Sequence, residues 1–132
     1  MFKIKIGKKG EEIACRFLKK NGYKIIARNF RKKIGEIDII AEKGDTIIFV
    51  EVKTRKNTKF GLPQEYVNKS KIDKMVKTAS MFLTENSMWD RPVRFDVIGI
   101  SLENEEIKIE HEQDCVQIGD FVSCGDPNWQ PW

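Results

Sequence analysis

Hydrophobic and polar positions along the chain follow two periods, one of helices and one of strands. From Lys8 to Lys20, Ala14, Cys15 and Leu18 recur at helical spacing, and Asn21-Gly22 supplies a C-terminal cap, so a helix is predicted there. A strand through Tyr23 to Arg28 follows. Glu36 to Glu42 alternates, with Ile37, Ile39 and Ala41 on one face, and Thr46 to Lys53 carries Ile48, Val50 and Val52 with the same period of two. Between them Lys43-Gly44-Asp45-Thr46 reads as a turn. Ser70-x-x-Asp73 resembles a capping box and opens a second helix, with Ile72, Val76, Ala79 and Leu83 on its core stripe. Arg94 to Ile100 and Ile107 to His111, joined at a Glu103-Asn104 turn, complete the pattern. The predicted order is α-β-β-β-α-β-β, an α/β chain whose mixed sheet is flanked by helices, because consecutive hairpins exclude a purely parallel sheet. Residues 1–116 are expected to form one domain. The pattern dissolves over 117–132, a Trp-containing tail of the kind in which disorder concentrates.

The central hairpin concentrates the candidate chemistry. With Gly44-Asp45 as the two turn residues, opposed positions are those whose numbers sum to 89, which sets Asp38 against Glu51 and Glu36 against Lys53. Four charged groups then share one face. Opposed Cβ atoms lie roughly 4.5–5.5 Å apart, close enough for Asp38 and Glu51 to bridge one cation. Two facing carboxylates repel, and oxygen ligands suit Mg²⁺ or Mn²⁺, which lean on one or two carboxylates plus substrate phosphate. Lys53, two residues beyond Glu51, projects to the same side and can orient or activate an attacking water, or stabilise charge on phosphoryl oxygens. The alternative is a salt-bridge ladder on the wet face of a half-buried sheet, which the same spacing serves equally well.

Composition places the chain among ordinary globular proteins, at 132 residues with 40% hydrophobic and 33% charged. No segment is long and apolar enough to span a membrane, and Met-Phe-Lys-Ile-Lys-Ile lacks the apolar core of a signal peptide, so a cytoplasmic protein is expected. Three cysteines without CxxC spacing and a single histidine support neither a disulfide framework nor a zinc site. The net charge of +4 is unevenly spread: residues 1–35 hold twelve Lys or Arg against two Glu, and residues 101–132 hold one Lys against eight acids. A basic first third beside the hairpin is the footprint expected for a phosphate backbone. Arg28, Arg31, Lys32 and Lys33 lead into the Asp38 strand, while Arg55, Lys56 and Lys59 leave the Glu51 strand at the same end. These are candidate nucleic-acid contacts, joined by Gln64 and Lys69 around a Phe60-Gly61-Leu62-Pro63 loop. Each could equally keep a loop solvated.

The spacing of Asp38, Glu51 and Lys53, D-x(12)-E-x-K, resembles the PD-(D/E)XK signature of restriction-endonuclease-like folds. More specifically, Gly7-x-x-Gly10-Glu11-x-x-Ala14, Gly22-Tyr23, Arg28-Asn29-Phe30-Arg31, Gly35-Glu36-Ile37-Asp38, Phe49-Val50-Glu51-Val52-Lys53-Thr54-Arg55, Phe60-Gly61 and Arg94-Phe95-Asp96-Val97 resemble the small bacterial YraN family across about residues 7 to 100. That family is similar to archaeal Holliday junction resolvases. The resemblance implies a restriction-endonuclease-like core and a Mg²⁺- or Mn²⁺-dependent endonuclease acting on structured or branched DNA, with a nucleic-acid-binding scaffold as the alternative. It also implies that Glu11 joins Asp38 and Glu51 at the metal. Glu11 does extend the stripe of Ala14, Cys15 and Leu18, although complementing the dipole of a helix's first turn would place an acid there too. Asp96 is expected to form a structural ion pair with a nearby Arg, and resolvase-like cutting implies a homodimer presenting two sites.

Overall fold

Ile47, Ile48, Phe49 and Val50 are all fully buried, which a strand achieves only at the centre of a sheet covered on both faces. The structure is a computed structural model that describes residues 2–55 and 69–116. Its elements are α1 (Phe2–Lys20), β1 (Lys24–Lys32), β2 (Gly35–Lys43), β3 (Thr46–Arg55), α2 (Lys69–Glu85), β4 (Val93–Glu103) and β5 (Glu106–Glu112). The five strands lie in sequence order, antiparallel except for the parallel pair β3 and β4, which α2 connects across one face. This is the mixed sheet the patterning predicts. Lys56, Lys59, Gln64, the Phe60-Gly61 loop and the tail from 117 lie outside the described residues.

Each helix covers its own face. Ala14, Cys15 and Leu18 of α1 pack with Ile39, Ala41, Ile48, Val50, Ile98 and Ile100, while Met75, Ala79, Phe82 and Leu83 of α2 pack with Ile37, Ile40, Ile47 and Phe49. The α1 helix ends in a Schellman closure, the Tyr23 N–H bonding Leu18 O at 2.9 Å and the Gly22 N–H bonding Lys19 O at 3.1 Å, with Gly22 at φ 90°. Both helix starts differ from the sequence reading. The first helix begins at Phe2, so Glu11 stands mid-helix rather than in a first turn, and the helix-dipole explanation for it falls away. Ser70 is already helical and follows Lys69 in α2, so it is not the cap of that helix. The last hairpin also turns one residue later than predicted, on Asn104 and Glu105 at φ 51° and 65°, with Glu103 opposite Glu106.

The central hairpin pairs in the predicted register, Ile39 with Val50, Ala41 with Ile48 and Lys43 with Thr46. One face assignment is corrected. Ile37 belongs to the α2 side, not with Ile39 and Ala41 on the α1 side. The cause is a shared kink: Arg28 pairs with Ile39 and Phe30 with Ile37, while Asn29 between them adopts a left-handed φ of 51° and the alternation resets around Asp38.

Close backbone approach fixes α1 over β3. A Cβ on Gly10 would fall 2.1 Å from Thr54 Cγ2, a stiff branched side chain that cannot move aside cheaply. Gly10→Ala is therefore expected to destabilise the fold by about 1–3 kcal/mol, and adding Thr54→Ser, which deletes the obstructing methyl, should recover much of that loss. Urea titration of the two single variants and the double variant checks the coupling; simple additivity would show that the contact does not set the helix position.

Candidate active site

The cleft forms where two paired strands part. Ladder pairing of β2 with β3 stops at Ile39 and Val50, and in the opening beyond it the Val52 N–H donates to Asp38 Oδ2 at 2.8 Å. A backbone donor freed by the splay thus takes a side-chain acceptor, and the Asp38 carboxylate spans the gap. Glu51 comes from β3 beside it and is 7% exposed. Gly35, Glu36, Asp38, Glu51, Lys71, Lys74 and Met75 line the resulting cleft, whose volume is about 240 Å³.

Electrostatics in the cleft are unequal. Burial, and then the negative charge of Glu51, push the Asp38 carboxyl up to about 7 against the opposing bond from the Val52 N–H; Glu11 and Glu36 push it the same way. Glu51 is held by two ammoniums on one oxygen: Lys71 Nζ lies 2.6 Å and Lys53 Nζ 3.4 Å from Oε1. Burial and the neighbouring Lys71 pull Lys53 below the usual lysine range. Burial is the largest influence on the Lys71 ammonium and works against it, but its bonds to Glu51 and Lys53 and the charges of Glu51 and Asp38 together shift it upward. Of the two cations Lys53 is the readier to give up its proton.

The sequence-derived candidates fall into three groups. Asp38 and Glu51 come together in the cleft and Lys53 reaches Glu51 beside it, although Asp38 bonds β3 backbone and is not laddered opposite Glu51. Glu11 is half-buried on α1, close enough for its charge to act on Asp38, with Oε1 3.8 Å from Arg28 Nη2. The basic residues of β1 are drawn into ion pairs, Arg31 with Glu36 at 3.3 Å and Lys32 with Glu85 at 2.5 Å. Lys33 sits in the β1–β2 turn and Arg55 ends β3, at the end of the sheet where the cleft opens, and Lys69 is exposed at the first described residue of α2. Among the described residues, no three or more His, Cys, Asp or Glu side chains gather closely enough to hold a metal ion. The donor set nonetheless fits a hard cation: two carboxylates with only oxygen atoms to offer, one of them held protonated to an unusually high pH, suit an ion that keeps most of its waters.

Lys71 and Lys74 are site residues that the strand pattern did not reveal. A signal was present, since Lys71, Met75, Thr78 and Phe82 recur at i, i+4, i+7 and i+11, so Lys71 prolongs the buried stripe of α2 as Glu11 prolongs that of α1.

A mixed five-stranded sheet flanked by a helix on each face, with carboxylates and a lysine at the parting of its central hairpin, is the arrangement of a restriction-endonuclease-like α/β protein. The chain belongs to Uncharacterised protein family UPF0102, whose model matches residues 10–100, as the YraN resemblance implied. A UPF0102 protein of Syntrophomonas wolfei subsp. wolfei is 44% identical over 106 residues, covering 80% of this chain and 92% of its own. One from Caldicellulosiruptor saccharolyticus is 45% identical over 111 residues, covering 83% and 94%. One from Nitratidesulfovibrio vulgaris is 37% identical over 126 residues, covering 96% and 94%. No helix among the described residues is long and apolar enough to cross a membrane.

The elevated Asp38 sets a sign for stability. A carboxyl that holds its proton to about pH 7 when folded, against an ordinary value of 3.8, makes the native state bind more protons than the unfolded chain between those values. Stability is lost as pH rises through that window. Asp38→Asn keeps an acceptor for the Val52 N–H and removes the charge, so its Tm should exceed that of the natural sequence by about 3–8 °C at pH 8, with the gap closing toward pH 4. Thermal unfolding across that pH range decides it; a gap that does not vary with pH would contradict the assignment.

Proposed function

We propose that this protein is a metal-dependent nuclease that hydrolyses phosphodiester bonds of structured or branched DNA. The observation that carries the reading is the convergence of Asp38 and Glu51 in one cleft with the Lys53 ammonium against Glu51. Asp38 and Glu51 would hold Mg²⁺ or Mn²⁺, with the Glu11 charge assisting from α1; such an ion, when bound, supplies charge neutralisation at the phosphoryl group and a more acidic water. The chain's own residues do the remainder. Lys53 Nζ, whose ammonium is weakened by burial and by Lys71, can donate a hydrogen bond to a phosphoryl oxygen or, once neutral, accept a proton from the attacking water. Lys33, Arg55 and Lys69, with Arg28, Arg31 and Lys32 released from their acidic partners, supply the backbone contacts, and a homodimer would offer two clefts to a four-way junction.

A second reading is favoured by one observation: among the described residues the acids do not form a three-ligand cluster, and Glu51 is already neutralised by lysines. That arrangement also suits a nucleic-acid-binding scaffold whose nuclease site is idle.

Purified protein is expected to cut end-labelled four-way junctions with Mg²⁺ or Mn²⁺ in preference to flaps, single strands and plain duplex. Glu51→Ala, Asp38→Ala and Lys53→Ala should each lower the rate by about 10²-fold or more while leaving junction binding within severalfold. Binding without cleavage of any substrate under either metal would move the conclusion to the scaffold.

A further inference from the structure

Glu51 must be neutralised before anything binds, because a carboxylate that is 7% exposed cannot rely on water. It is neutralised from another element. Lys71 reaches from α2 to place Nζ 2.6 Å from Oε1, nearer than Lys53 of its own strand at 3.4 Å. Two ammoniums on one carboxylate oxygen are more than pairing requires, and Lys53 alone would leave Glu51 partnered. The Lys71 side chain is 31% exposed and lines the cleft, so its flexible four-carbon stem borders the space that a ligand would enter. Lys74, one turn further along α2, lines the same cleft.

We propose that Lys71 is the resident cation of this cleft: its ammonium holds Glu51 until a divalent metal displaces it, and then transfers to a phosphodiester oxygen of the bound strand. The inference rests on the metal-dependent reading above and names a positioning residue within it. The charges favour exchange over coexistence. Asp38, Glu51 and Glu36 carry at most three negative charges, which Lys53, Lys71 and Lys74 already match, so a dication added without departure of an ammonium would leave the cleft net positive and bring a third cation to Glu51. A phosphodiester entering with the metal gives the released ammonium a new anion within reach of the same stem. Metal and nucleic acid are thereby coupled through one side chain.

Titration of the full chain with Mn²⁺ by calorimetry tests the exchange. Lys71→Gln should bind Mn²⁺ about tenfold more tightly than the natural sequence, Lys71→Arg should bind as the natural sequence does, and Glu51→Gln should bind weakly or not at all. In Ca²⁺, Lys71→Gln should also bind junction DNA several times more weakly despite its tighter metal. Equal or weaker Mn²⁺ binding by Lys71→Gln overturns the exchange alone. Tighter metal with unchanged DNA affinity overturns the transfer to phosphate. If neither the natural protein nor Lys71→Gln binds Mn²⁺, the metal-dependent reading falls and the exchange with it. Lys71→Met, which keeps the aliphatic stem, carries the same expectations should the Gln variant not fold.

Discussion

The bond from the Val52 N–H to Asp38 Oδ2 is the contact on which the candidate site depends. A sheet whose central strands stayed paired to their ends would bury or flatten the acidic residues and leave no concavity. Here the β2–β3 ladder stops at Ile39 and Val50, and the freed donor is satisfied by a side chain instead of by a neighbouring strand. On the opposite side of β2, Asn29 holds a left-handed φ of 51° between Arg28, which reaches Glu11 of α1, and Phe30, which packs on the α2 face. The two irregularities meet at Asp38. Asn tolerates this backbone better than any β-branched strand former would, so the residue that seems weakest for a strand is the one the kink requires.

That geometry explains the uneven charge of the cleft. Splaying brings Asp38 toward Glu51 in partial burial, where the two carboxyl groups repel unless cations approach. The cations come from β3 through Lys53 and from α2 through Lys71, and α2 can approach because β2 begins with Gly35. A Cβ there would lie 2.8 Å from Thr78 Oγ1 and 3.4 Å from Lys74 Cβ. Glycines at positions 10 and 35 therefore do related work on opposite faces, drawing one helix bearing Glu11 and another bearing Lys71 down onto the strands that carry the central carboxylates.

Much of this was legible in the chain. The period of two around Gly44-Asp45 gave the hairpin register correctly, and Asp38, Glu51 and Lys53 do share one end of it. What periodicity could not give was the face of Ile37, because alternation assumes an unbroken ladder and the left-handed Asn29 resets it locally. Lys71 escaped for a different reason: a lysine in a helix is usually read as solvated, and only the tertiary approach of α2 to the cleft turns it inward. The predicted cap at Ser70 failed because a capping box is a local signal that a helix is free to extend past.

Two buried aspartates show how the structure separates a clasp from a site. Asp96 on β4 is fully buried, yet it receives Arg94 Nε at 2.9 Å and the Asp114 N–H at 3.0 Å on Oδ1, with Arg94 Nη2 at 2.8 Å and His111 Nε2 at 2.7 Å on Oδ2. Burial pushes its carboxyl up, but these four donors prevail and hold it below the ordinary range, the structural ion pair expected of it. Arg94 in turn reaches Tyr23 Oη at 2.7 Å, so the network ties β4, β5 and the chain leaving α1 into one satisfied unit. Asp38 receives the Val52 N–H and faces a second carboxylate, and its carboxyl is held above the ordinary range. Within one sheet the same side chain is thus stabilised as an anion on the α1 face and destabilised as one at the cleft. The second condition lowers stability at neutral pH, and a divalent cation bound between Asp38 and Glu51 would relieve it.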